Sequence, residues 1–310
     1  MSTKPIITII IVSYNSRKVL KKCLTKLEQV QKEITAEIIL VDNNSHDGSP
    51  EMVAASFPKV RLIRNSENLG FAAANNQGIK NSSGESILLL NSDAFLETKA
   101  AKTMLQFMER NPDVGICGPQ LLYEDATWQR SFGLCINAHT AFLDAIGWTS
   151  LQHIWRRITW PYSKHFLKPR EVEYVDGACM LIQRELVREI GSLDESFLFF
   201  CEDVEFCLRA RRAGWKVMYI PASQVVHLRG GSSSKEGMYK VAYLKFQALN
   251  QFIVNEYGED EWQRYLSWIR FHFRNRKWLA RAGKQLGIFS KDAISRYEIL
   301  QQIFGGQRYE

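Results

Sequence analysis

The 310 residues predict an α/β protein with a doubly wound, mainly parallel sheet. Three observations predict it. From Ile6 to about Tyr123, short apolar runs alternate with helical stretches, as parallel strands and their crossovers do. The runs are rich enough in Ile, Leu and Val to be buried on both faces. Several of them end in polar clusters, the place where an open α/β sheet meets its ligand.

In order, "ITIIIVSY" is the first strand, and it is too short to span a bilayer and lacks a signal-peptide cleavage pattern. Helical Arg17–Val30, strand "AEIILVDNN", helical Gly48–Ser56, strand "VRLIRN", helical Phe71–Asn81, strand "SILLLNSD" and helical Thr98–Arg110 follow. A second region, about Val172 to His227, has strand-like "VEYVDGACMLIQ", a short helix from Arg184, and a helix after Phe199 that Gly214 closes. "WKVMYI" then resumes strand character, and Pro221 is expected to end it. Beyond Gly231 the chain reads as helical, with a break around Tyr257–Asp260, so the expected domains are 1–231 and 232–310.

Six cysteines without a C-x-x-C pair exclude zinc ribbons, dithiol redox motifs and a disulfide framework, leaving buried free thiols. The net charge of +7 calls for an anionic partner, with nucleic acid ranked low because no nucleic-acid motif accompanies it. The expectation is cytoplasmic synthesis with no transmembrane anchor.

The strand ends carry the chemistry. No glycine-rich turn follows the first strand and no P-loop is present, so any nucleotide phosphates need another partner, such as a divalent cation held by carboxylates. Asp93, at the end of "ILLLNSD", suits that role. Asp42 ends the second strand, where a carboxylate accepts from a nucleobase imide or a ribose hydroxyl; an Asx-turn or a helix cap in "DNNSHDGS" accounts for it equally. In "NSENLGFAAANNQGI", small residues around Asn68, Gly70 and Asn76 bring a helix start close to a ligand, or to the sheet. Glu202 and Asp203 open a helix, where acids also serve simply as dipole partners. His227 ends "SQVVH", as a structural histidine or as a ligand.

Seven stretches in order, "VSYNS", "ILVDNNSHDGS", "ENLGFAAANNQGI", "LLLNSDA", "VDGACMLIQRELVREIGSLDESF", "FFCEDVEFCLRARRAG" and "VVH", resemble the family 2 glycosyltransferases of the GT-A fold. The likeness runs from about Ile6 to Gly231 and is strongest to the rhamnosyltransferase-like branch that builds bacterial polysaccharides. It implies a Rossmann-like, mainly parallel sheet flanked by helices, with a helical C-terminal extension. It implies a base-reading Asp42 and a nucleotide site drawn from Ser13, Tyr14, Asn15, Asn44, Asn68, Gly70, Asn76 and Ser92. Asp93 matches the last Asp of the metal motif, and His227 the histidine that completes the shell of Mg²⁺ or Mn²⁺. Asn91 replaces the first motif Asp, so the cation is held weakly without nucleotide. Asp203 matches the general base, Glu202 its acidic neighbour, and Asp176 with Gly177 the place where acceptor meets donor sugar.

The activity so implied is inverting transfer of a sugar, rhamnose among the candidates, from a UDP- or dTDP-sugar. The acceptor is a glycan or a polyprenyl-diphosphate-linked sugar of cell-surface polysaccharide synthesis. Asp203 is expected to take the acceptor proton, and its first-turn position to favour the ionised form. The rival readings are a sugar nucleotidyltransferase, whose Gly-rich basic loop after the first strand is missing, and an inactive nucleotide- or glycan-binding module.

Two basic, aromatic segments remain. Leu151–Arg170 sets Trp155, Trp160, Tyr162 and Phe166 among cations, and Glu261–Lys284 sets Trp262, Trp268, Phe271, Phe273 and Trp278 among others. They suit an anionic membrane surface, placing the protein peripherally at the inner face of the cytoplasmic membrane. Inward packing, or a homodimer seam with solvated cations, suits them equally.

Overall fold

The computed structural model describes residues 5–159, 168–228, 235–285, 300 and 303–304. Strand β1 (Ile7–Ser13) leads to helix α1 (Arg17–Glu33), β2 (Ala36–Asp42), α2 (Ser49–Ser56), β3 (Arg61–Arg64), α3 (Gly70–Lys80) and β4 (Ser86–Asn91). There follow β5 (Ala94–Phe95), α4 (Thr98–Arg110), β6 (Val114–Leu122), β7 (Phe132–Gly133), α5 (Ala138–Ala145) and α6 (Trp148–Thr159). The remainder comprises β8 (Arg170–Glu171), β9 (Tyr174–Val175), β10 (Cys179–Gln183), α7 (Arg184–Ile190), α8 (Glu202–Arg212), β11 (Lys216–His227), α9 (Lys235–Tyr257) and α10 (Glu259–Gln285).

The main sheet runs β3-β2-β1-β4-β10-β6-β11-β5, with β8 also on β11. β3, β2, β1 and β4 are mutually parallel, β10 is antiparallel to both its neighbours, and β11 is parallel to β6. The apolar runs become central strands because helices cover them: Ile7, Ile9, Ile10 and Ile11 are all buried. α1 repeats Leu20, Cys23, Leu24, Leu27 and Val30 at helical spacing and buries that stripe. Each leucine in it contributes about 1.5–3 kcal/mol on the usual area scale. The six cysteines are buried thiols, none in a disulfide.

Register decides where the chemistry gathers. Ser13 pairs with Asp42 and Val12 with Asn91, so β1, β2 and β4 end together. Cys179 of antiparallel β10 pairs with Leu90, which sets Asp176 and Gly177, just ahead of β10, at the same end. His227, last in β11, pairs with Ala94, one residue beyond Asp93.

Two expectations are corrected. Pro221 does not end its strand: β11 continues to His227, and the missing N–H falls where the pairing with β6 shifts register between Ile220 and Gln224. "VEYVDGACMLIQ" is two strands, because Asp176 turns the chain by accepting from the Ala178 N–H at 3.0 Å. The helical break is at Gly258, whose φ of +89° suits glycine between α9 and α10.

The described residues group into two compact units. One draws on Met1–Leu134, Arg156–Leu198 and Glu202–Gly230 and holds the large sheet; the other draws on Cys135–Trp155, Phe199–Cys201 and Gly231–Glu310 and is helical. Within the helical unit, Trp262 stacks on Tyr265 at 5.6 Å and meets Phe246 at 5.4 Å. Trp262, Tyr265, Leu266 and Ile269 are buried there, whereas Trp268 and Phe271 of the same helix are exposed. Trp160, Tyr162 and Phe166, and the side chain of Trp278, lie outside the described residues. Among the described residues no helix is long and apolar enough to cross a membrane.

Candidate active site

All of the groups below belong to the sheet-bearing unit. At the end of β2, Asp42 is almost wholly buried. Its Oδ2 accepts from the Ser45 N–H at 2.9 Å, making the turn, while Oδ1 is buried and has no hydrogen-bond partner in the protein. One oxygen is thus structural and the other is an orphaned acceptor, which a buried carboxylate tolerates only if a donor arrives. The turns after β1 and β2 are tied together, since Asn15 N–H donates to Ser45 Oγ and His46 N–H to Asn15 Oδ1. Asn15 and Asn44 take φ of 49° and 66°, a region asparagine tolerates, while Tyr14 is half exposed. Ser13 is buried, with its Oγ 2.9 Å from Ser16 Oγ, and Ser92 lies partly buried beside Asp93.

The α3 stretch is more structural than its sequence suggests. Asn68 Oδ1 accepts from Gly70 N–H at 3.0 Å, an Asx-turn that leads into the helix. Gly70 has φ +82°, and a Cβ there would stand 2.4 Å from Leu198 O, so glycine is required for close packing. Asn76 donates to Leu193 O at 2.8 Å and to Glu195 Oε1 at 2.9 Å, and accepts from Leu193 N–H. These three hydrogen bonds brace the turn at Leu193.

Asp93 and His227 meet, with Oδ1 3.2 Å from Nε2, and Asn91 Nδ2 is 3.4 Å from the same nitrogen. Gln129, which the sequence did not mark, orients the ring. Its Nε2 donates to His227 O at 3.0 Å, which leaves Oε1 facing Nδ1 at 2.8 Å. A carbonyl oxygen only accepts, so Nδ1 carries the proton and Nε2 is turned toward the Asp93 carboxylate. Nε2 and the Asp93 carboxylate thus face one another, and an imidazole nitrogen with a carboxylate oxygen is a donor set that would suit Mn²⁺ or Mg²⁺. Among the described residues no group of three His, Cys, Asp or Glu converges on such a point, so the pair alone does not make a metal site.

Asp176, Gly177, Glu202 and Asp203 also come together. Asp203 accepts from Gly177 N–H at 3.0 Å and from Val204 N–H at 2.8 Å. Burial first, then the Asp176 carboxylate, pushes Asp203 up to about 6, against the pull of those N–H groups and of Arg130. The first-turn expectation of a favoured ionised form is therefore reversed: desolvation outweighs the helix end. Glu202 rises well above its ordinary value through burial and the charge of Asp203, and its buried Oε2 has no partner. The two acids are thus both raised, Asp203 to about 6 and Glu202 well above the ordinary carboxylate range. A carboxylate ionising near 6 is suited to general-base work.

A sheet whose strand ends gather an orphaned acceptor, an Asp–His pair and a tuned carboxylate is that of a ligand-binding α/β enzyme. Comparison with known sequences sharpens this class. The chain belongs to glycosyl transferase family 2, whose sequence model matches residues 8–191. It is 26% identical over 246 residues, 74% of this chain and 78% of the relative, to the N-acetylglucosaminyl-diphospho-decaprenol L-rhamnosyltransferase of Mycobacterium tuberculosis. It is 28% identical over 254 residues, 80% of this chain and 75% of the relative, to the low-salt glycan biosynthesis hexosyltransferase Agl10 of Haloferax volcanii. In fold it is similar to the mannosyltransferase PcManGT of Pyrobaculum calidifontis, solved with GDP-Man and Mn²⁺, with a TM-score of 0.55, 15% identity, and coverage of 98% of this chain and 85% of that one. The fold is GT-A, and the chain is a rhamnosyltransferase-like glycosyltransferase.

Proposed function

We propose that the protein transfers a hexosyl group, rhamnosyl in the leading case, from a UDP- or dTDP-sugar to a lipid-linked or glycan acceptor with inversion at the anomeric carbon. The observation that carries this reading is Asp203, a carboxylate ionising near 6 beside Gly177, at the sheet end that also holds Asp42 and the Asp93–His227 pair. Asp42 Oδ1 accepts from the pyrimidine imide, with the β1 and β2 turns around Ser13–Asn15 and Asn44 lining the nucleotide. Asp93 and His227 would hold a divalent cation, which when bound would supply positive charge to stabilise the departing diphosphate. Asp203 takes the proton of the acceptor hydroxyl as that oxygen attacks from the face opposite the leaving group. One displacement of this kind inverts configuration and needs no enzyme nucleophile. Relatives named for a decaprenol-linked substrate and for glycan synthesis support a lipid-linked acceptor.

Peripheral attachment to an anionic membrane is part of the same proposal, and α6 supports it. Trp148, Leu151, Trp155 and Ile158 recur at helical spacing and stand 50%, 62%, 48% and 74% exposed, a solvent-facing apolar stripe beside Arg156 and Arg157 in sequence. The decisive experiment is product analysis by NMR after incubation with dTDP-rhamnose or a UDP-sugar, Mn²⁺ and a polyprenyl-diphosphate-linked sugar. An inverted glycosidic linkage is expected, and a retained one would contradict the single displacement.

A further inference from the structure

Next to the acid cluster lies a group of three arginines that the transfer chemistry above leaves unused. Arg156, from α6, stands 5.1 Å from the Phe132 ring centroid and 5.8 Å from that of Trp128. Arg170, from β8, stands 4.6 Å from the same Phe132 ring and 5.3 Å from Tyr219. Arg130, two residues before Phe132, lies 5.8 Å from the Tyr174 ring and donates to its hydroxyl. Arg156 and Arg170 are partly buried, and Arg130 is exposed.

Burial is the first influence on Arg156 and Arg170, and both are drawn down from their ordinary values. For Arg156 the next is the like charge of Arg170, with Arg130 adding to it; the opposing influence is the Tyr219 phenol, which burial keeps neutral. Gathering like charges on a shared aromatic floor costs stability, and stacking on rings offsets only part of it. Guanidinium groups so placed are suited to a multivalent anion, since their planar forks match phosphate oxygens and shed water more readily than ammonium does.

The position of the cluster says whose anion it is. Asp176 N–H donates to Ser131 O at 2.9 Å, one residue from Arg130, and Arg130 is near enough to pull Asp203 down. The arginines therefore adjoin the base that meets the acceptor, while the donor diphosphate has its own place at Asp93 and His227. We propose that Arg130, Arg156 and Arg170 form an anion subsite that takes the phosphate or diphosphate ester of a phosphorylated glycosyl acceptor while its hydroxyl meets Asp203. This deepens the transferase reading and rests on it.

The test is calorimetric titration of the full chain with sodium pyrophosphate in low salt and EDTA, so that no divalent cation can recruit the ligand to the donor site. Pyrophosphate should bind the wild type, and Arg156→Met and Arg170→Met should each weaken it about tenfold or more. Arg156→Lys should recover part of the loss by restoring charge, and Lys18→Gln with Lys21→Gln, on α1, should leave it unchanged. UDP and dTDP are titrated with Mn²⁺ in parallel, and their affinity for the two methionine variants should match wild type, which also certifies the fold. Failure of pyrophosphate to bind the wild type, or equal binding by both methionine variants, would overturn the subsite. A parallel fall in nucleotide affinity would give the arginines to the donor instead. If neither nucleotide binds the wild type, the transferase reading itself fails, and this inference with it.

Discussion

Asp42 and Asp93 on one side, and Asp176, Glu202 and Asp203 on the other, are carboxylates at the same end of one sheet, held by different means. The first two end or follow parallel strands, and each has a defined neighbour: a turn N–H for Asp42, an oriented imidazole for Asp93. In the second group, burial and the charge of neighbouring acids raise Glu202 and Asp203. The difference teaches a division of labour. On the proposed reading, a donor side that holds cation and base fixes its acids by geometry, whereas an acceptor side that moves a proton leaves one acid poised near 6 and a neighbour raised well above its ordinary value.

Removing the proton acceptor should break the second half while sparing the first. Asp203→Asn is expected to lower single-turnover transfer on the order of 10²-fold or more, with nucleotide affinity unchanged, and Glu202→Gln to be milder. Asp93→Ala should do the reverse, abolishing nucleotide-dependent Mn²⁺ binding measured by titration with UDP or dTDP; equal metal affinity in that variant would remove Asp93 from the site. Gln129→Leu should weaken the same Mn²⁺ binding about tenfold without touching the Asp203 ionisation, because loss of an outer partner that orients a ligating histidine costs affinity at that scale.

The halves should also differ in stability. Since the folded chain holds the Asp203 proton more tightly than the unfolded one, with a pKa of about 6 against a usual 3.8, folding stability falls as pH rises through that window, and the cost persists above it. Asp203→Asn should therefore stabilise the protein at pH 8 by roughly 1–3 kcal/mol in urea unfolding, and by little at pH 4. The smallest expected effect concerns α6: replacing Leu151, Trp155 and Ile158 with serine should reduce co-sedimentation with anionic vesicles while leaving transfer to a soluble acceptor intact.

What was legible in the sequence follows the same divide. β1, β2 and β4 are buried on both faces, so their apolar runs ending in Ser13, Asp42 and Asn91 could be read directly, as could the break at Gly258. β6 was not singled out, because Gly115, Gly118 and Pro119 interrupt a strand whose every residue is buried. Gln129 and Arg130 sit in an irregular stretch between β6 and β7 with no periodicity, and their roles arise from contacts 98 positions away, at His227, and 44 away, at Tyr174. The bracing of the turn at Leu193 by Asn76 was hidden for the same reason, since its partners lie 117 positions away.

The pH dependence of single-turnover transfer, at saturating donor and metal, tests the central claim most directly. Asp203 as base predicts a rate that climbs about tenfold per pH unit below an apparent pKa near 6 and levels off above it. The limb should persist in Glu202→Gln and vanish in Asp203→Asn. A rate flat from pH 5 to 8, or the same limb surviving in Asp203→Asn, would contradict it.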